Sequence, residues 1–136
     1  MPNNDQNDMI YDIIMNGPKL NQDFTLYRGL KIANFKVEDL KIQNKLKTKF
    51  VSFSFWENIA ADFAFSFNEN ECIILKVNYP KEFPCLWIDR LSNYEEQEVL
   101  VPIFEYELSQ IIFDEIYFYS DKAKFMFINI KPIKLI

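Results

Sequence analysis

The chain has 136 residues, is 49% hydrophobic with 14 Phe, 7 Tyr and 2 Trp, and carries a net charge of -5. That is enough apolar material for one domain with a real core, and it excludes a disordered chain. The acidic balance disfavours non-specific nucleic-acid binding, which is built on clustered Lys and Arg. The composition contains no His, two Gly and two Cys. Ser-His and Cys-His catalysis, His-ligated metals and a structural zinc site are therefore excluded, as are a P-loop and a GxGxxG turn. Chemistry must come from carboxylates, hydroxyls, Arg, Lys and aromatics.

In chain order, residues 5–16 place Met9, Ile10, Ile13 and Ile14 at helical spacing, and Asn16-Gly17-Pro18 stops that helix. "FTLYRGL", Phe24 to Leu30, reads as a strand, and residues 37–48 as a short polar helix or loop. "KFVSFSF", Lys49 to Phe55, alternates like a strand. "WENIAADFAFSF", Trp56 to Phe67, has Ala60, Ala61, Phe63 and Ala64 at helical positions. "CIILKVNYP", Cys72 to Pro80, is a nearly continuous apolar run, as in a buried strand. After "EEQEVLVP", Glu95 to Pro102, the segments "QIIFDEIYFYS" and "KFMFINIKPIKLI" read as two closing strands. This order predicts an α+β fold with antiparallel or mixed sheets in a single domain over 1–136. No apolar run approaches the roughly 20 residues of a membrane span, so no membrane partner is expected. "MPNNDQND" lacks the basic and apolar regions of a signal peptide. Cys72 and Cys85 read as reduced, buried thiols of a cytosolic protein.

"EEQEVLVP" crowds three carboxylates at the mouth of an apolar strand. Side chains alternate faces, so Glu96 and Glu98 share one face while Gln97 and Val99 share the other. A solvated edge strand is the plain explanation; a site of chemistry is the other, because repelling carboxylates are tolerated more readily there.

Three segments together resemble the R-S-E class of mono-ADP-ribosyltransferases, including the clostridial binary-toxin-like enzymes. They are "LYRGL" around Arg28, "FVSFS" around Ser52 and "EEQEVLVP" around Glu98, in that order. "IAADF" after the Ser motif and "ILKVNYPK" after that match the family's supporting text, so the resemblance covers most of residues 24–102. It implies an ADP-ribosyltransferase-like fold with two small sheets forming an NAD cleft and flanking helices. NAD would be the co-substrate, without a metal. Glu98 would stabilise the oxocarbenium-like transition state as the bond between nicotinamide and ribose breaks. Glu96 would engage the accepting nucleophile, an arginine of a target protein. Ser52 would hydrogen-bond Glu98 and fix its rotamer. Arg28 would bind the NAD phosphates with its planar fork. Phe63 would pack on the nicotinamide ring. Tyr27 and Gly29, which flank Arg28, and Ser54 join the cofactor side, Tyr27 chiefly by packing.

The sequence departs from the family in four ways. Phe53 replaces the middle Thr of Ser-Thr-Ser, but alternation points it away from Ser52 and Ser54, so it can join the core. "FAFSFNEN" lacks the phosphate-holding Arg that often follows the aromatic, a gap that a Lys could fill. The segment before Arg28 is short, which implies a minimal catalytic domain. "PKEFP" lacks the usual Gly. An NAD glycohydrolase would use the same site with water as acceptor, and an inactive binding module is a further alternative. The stretch "KIQNKLKTK" in an acidic chain reads as a solvated helix face. Aromatic loops such as "IFEYEL", Ile103 to Leu108, are candidates for choosing the target. The expected location is the cytoplasm, of the producing cell or of a host cell into which a toxin-like or effector-like protein is delivered.

Overall fold

The computed structural model describes residues 4–17, 19–30, 49–67, 72–89, 97–118 and 121–136. Glu96 and the 37–48 segment, for which expectations were stated, lie outside the described residues. In chain order the elements are α1 (Asn4–Asn16), β1 (Phe24–Leu30), β2 (Phe50–Ser54), α2 (Glu57–Phe67), β3 (Cys72–Tyr79), β4 (Leu86–Asp89), β5 (Gln97–Pro102), β6 (Phe104–Phe118) and β7 (Asp121–Leu135).

The seven strands form one mixed sheet in the order β4-β5-β2-β1-β3-β7-β6. Neighbouring strands are antiparallel except β3 and β7, which run parallel from Cys72↔Phe125 to Val77↔Ile130. The sheet has a seam. Strand β1 pairs with β3 over seven residues but with β2 at the single pair Tyr27↔Ser54. The expected two small sheets are therefore the two halves of one ladder, β4-β5-β2 and β1-β3-β7-β6, joined at one residue pair.

Alternation sorts the side chains onto two faces. Leu26, Leu30, Phe53, Ile73, Leu75, Val77, Val99, Val101, Ile128 and Ile130 form the larger core on one face. Phe53 is buried there and stacks on Phe104, as expected of the residue between two outward serines. On the other face α2 packs through Ala60, Ala61 and Ala64 against Cys72, Ile74 and Phe125. Small side chains let the helix come close, and Gly29 lies directly beneath it: a Cβ there would stand 2.3 Å from the Ala60 carbonyl oxygen. At the other end of the chain order, α1 touches β5 and buries Ile14. Lys49 at the start of β2 pairs with Asp8 of α1 and lies over the Tyr11 ring.

Two segments differ from the sequence reading. Leu86–Asp89 is a strand, although it follows Pro84 and is only four residues long; it is stabilised by pairing with β5 from Leu86↔Leu100 to Asp89↔Gln97. "IFEYEL" is not a loop: all but its first residue belongs to β6, paired with β7 from Phe104↔Leu135 onward. Glu105 and Glu107 are exposed there while Phe104 is buried, the signature of a strand with one wet face. The register shifts at Glu105/Tyr106, where Pro132 sits opposite Tyr106, and again at Leu108/Gln110. Cys72 and Cys85 are buried free thiols, in line with their reading as reduced.

Candidate active site

The seam brings the expected site residues together. Past Tyr27↔Ser54 the two strands are unpaired, and Arg28 takes over the connection. Its Cα lies opposite Leu75 of β3, and its Nη1 donates a 2.7 Å hydrogen bond to the Ser52 carbonyl oxygen. A guanidinium thus replaces the missing ladder bond between the halves. Burial pushes the Arg28 pKa down, but from so high an ordinary value that the group stays charged. One N–H of five is used by Ser52, which leaves the rest of the fork for another acceptor.

On the β2–β5 ladder, Ser54 stands opposite Glu98, Phe53 opposite Val99 and Ser52 opposite Leu100. Directly paired residues share a face. Ser52, Ser54 and Glu98 therefore point to one side and Phe53 and Val99 to the other, which keeps the alternation expected within each strand. The row through Glu98 and Ser54 continues across the seam to Tyr27 and on to Lys76 of β3. Glu98 is half-buried, while Ser54 is only 7% exposed, a buried polar side chain in an otherwise apolar set. The Ser54 Oγ accepts the Trp56 N–H at 3.1 Å, and the Trp56 carbonyl accepts the Ala60 N–H at 3.4 Å. Ser54 thus turns the chain from β2 into the first turn of α2.

Helix α2 supplies the aromatic wall. Phe63 is 44% exposed although it lies among apolar neighbours, and its ring comes within 3.1 Å of where a Gly29 Cβ would be. It is a surface aromatic over the end of β1 rather than a core side chain. Tyr27 is packed against the alanine core, and its pKa is raised first by burial and then by the charge of Glu57. Packing is thus its visible role. Arg28, Gly29, Ser52, Ser54, Phe63, Tyr27 and Glu98 all lie at or beside the seam; Glu96 lies outside the described residues. Among the described residues, no group of three or more His, Cys, Asp or Glu is placed to hold a metal ion. No helix among them is long and apolar enough to cross a membrane.

The resemblance implied that Ser52 holds Glu98, whereas the ladder sets Ser54 opposite Glu98 and Ser52 opposite Leu100. Sliding β2 by two residues against β5 keeps every side chain on its face, so alternation cannot choose between Ser52 and Ser54. The pairing of Phe50 with Pro102 at the far end of the ladder settles the register.

No protein-family model and no curated protein matches the sequence. Solved structures do match. The enzymatic component C2-I of the C2-toxin from Clostridium botulinum, at pH 6.1, matches with a TM-score of 0.63 at 19% identity, over 98% of this chain and 38% of that one. C3stau2 from S. aureus, solved with NAD, matches with a TM-score of 0.59 at 20% identity, over 96% of this chain and 70% of that one. The ADP-ribosyltransferase Vis, in complex with an inhibitor, matches with a TM-score of 0.57 at 21% identity, over 96% of this chain and 56% of that one. The chain spans little more than half of Vis and well under half of C2-I, and it has the ADP-ribosyltransferase fold.

Proposed function

We propose that this chain is a mono-ADP-ribosyltransferase of the R-S-E class that moves ADP-ribose from NAD to an arginine of a target protein. The observation that carries the reading is the convergence at one seam of a face-sharing Ser-x-Ser and Glu98 with a half-buried guanidinium, in a fold that C3stau2 presents with NAD bound. These residues fit a dinucleotide. The free part of the Arg28 fork suits phosphate oxygens, exposed Phe63 offers a flat apolar surface to the nicotinamide, and the open end of β1 lies between them.

In this reading the C1′–N bond of the nicotinamide ribose breaks, and its electron pair leaves with nicotinamide. Positive charge builds on the ribose, and the Glu98 carboxylate stabilises it. A guanidinium nitrogen of the acceptor then bonds to C1′ and loses a proton. Glu96, two residues from Glu98, binds that guanidinium with two hydrogen bonds and receives the proton. Buried free Cys72 and Cys85 suit a reducing compartment, so we place the activity in a cytoplasm, its own or a host's.

Incubation with labelled NAD and a cell lysate, followed by mass spectrometry, tests the reading. Label on arginine supports it. Label on another residue type overturns the acceptor assignment. Nicotinamide release without labelled protein makes water the acceptor and the chain a glycohydrolase.

A further inference from the structure

We propose that the outer edge of β6 takes up an extended segment of a partner protein as an added strand, one that sets basic residues against Asp114 and Glu115 and apolar ones against Ile112 and Phe113. The proposal does not depend on the transferase reading above. Strand β6 ends the strand order, so among the described residues no strand lies beyond it. An edge strand keeps a row of backbone N–H and C=O groups open to another chain. The first part of β6 is interrupted by its two register shifts, but from Gln110 to Phe118 it pairs with β7 without a break. That regular stretch is the part a further strand can follow.

The side chains there define what fits. Ile112 and Phe113 are 40% and 74% exposed, and they lie on opposite faces, Ile112 across from Phe127 and Phe113 across from Met126. Asp114 and Glu115 follow and are also exposed. Each face thus shows an apolar residue beside an acid. Every charged residue of β6 is an acid. Strand β7, on the inner side, sets Lys134, Lys131 and Lys124 opposite Glu105, Glu107 and Glu115, but it sets Phe125 opposite Asp114. The Asp114 charge therefore has no opposite charge directly across the hairpin. A strand on the outer side with lysine or arginine at that position would supply one. A second copy of β6 would not, because it brings acids alone.

The test measures fluorescently labelled peptides against the purified chain by anisotropy, at low salt where exposed charges are least screened. The first peptide is Lys-Lys-Val-Val-Val-Thr, which antiparallel pairing lays from Glu115 to Gln110. The second has glutamate in place of both lysines. The third keeps the lysines but is N-methylated at alternate residues, which removes the backbone donors of one edge. The first is expected to bind at least about tenfold more tightly than either of the others. An acidic chain attracts lysine in general, so the first two peptides are repeated on Asp114→Lys. There the gap between them should close to within about threefold. Equal binding of the first and third peptides, an unchanged gap on Asp114→Lys, or no binding of the first overturns the proposal. So does a dimer of the chain alone that Phe113→Lys disperses, which would make a second copy the occupant.

Discussion

The two halves of the sheet are built differently. The β1-β3-β7-β6 half contains two strands of 15 residues, and the β6–β7 hairpin is paired from Phe104↔Leu135 to Phe118↔Asp121. The β4-β5-β2 half has strands of four, six and five residues. The long half carries most of the larger core, whereas the short half carries Glu98, Ser52 and Ser54. They meet at Tyr27↔Ser54 and at the Arg28–Ser52 bond. This difference divides the labour. A sheet that continued its ladder past Tyr27 would use the backbone of β1 and β2 on itself; one that stops there keeps an open strand end beside a carboxylate, with the long half as a rigid base.

If the short half bears chemistry and little stability, the largest effect should come from Glu98→Gln. Gln keeps the size and removes the charge. Turnover of NAD should fall by roughly a hundred- to thousandfold, while the melting temperature stays within about a degree of the unaltered chain. A matching fall in melting temperature would mean that Glu98 supports the fold instead. Glu96→Gln sharpens the comparison within that half. Transfer to arginine should drop more than about tenfold, the loss of one charge-assisted contact, with nicotinamide release largely retained. Parallel loss of both activities would put Glu96 on the donor side.

Gly29→Ala acts across the seam. The added Cβ meets backbone atoms of Ala60 and Ala64, at 2.3 and 3.0 Å, so α2 must lift. Overpacking of this kind costs about 1–3 kcal/mol. Thermal melting should show it, and nicotinamide release should fall with it because Phe63 rides on the same helix. Unchanged melting would mean that the helix is not held against β1.

The smallest effect belongs to the long half alone. Tyr79 of β3 is buried, and its hydroxyl donates to the Pro84 carbonyl at 2.6 Å. Burial first, and the neighbouring Cys85 second, raise its pKa. A raised folded-state pKa contributes stability that is present below the unfolded value near 10 and is lost as pH rises above it. Tyr79→Phe should therefore cost about 1 kcal/mol at neutral pH and flatten the fall in melting temperature above about pH 10, with turnover at neutral pH unaffected. An unchanged alkaline limb would remove Tyr79 from that account.

Much of this division was legible in the sequence. Period-two alternation put Ser52 and Ser54 on the face opposite Phe53, and Glu98 on the face opposite Val99; the ladder then joined the two strands so that the serines and Glu98 share a side. Helical spacing gave α1 and α2. What alternation cannot give is register, since a slip of two residues preserves every face; hence the pairing of Ser54 with Glu98 emerged only from the ladder. The seam was hidden for a related reason: whether two strands pair along one residue or seven depends on their relative twist, which local pattern does not encode. Strand β4 is too short to show a period, and its place is set by β5. Phe63 sits at a helical position like its buried alanine neighbours, yet it is 44% exposed, a difference that helical spacing alone does not show.

In the proposed reading the seam breaks the nicotinamide–ribose bond of NAD. Nicotinamide released from NAD by the purified chain, separated chromatographically and compared with the Glu98→Gln variant, tests it most directly. Release well above the spontaneous rate by the unaltered chain, and close to the spontaneous rate by the variant, is the predicted result. Release by the unaltered chain no faster than in buffer alone, or equal release by both proteins, would contradict it.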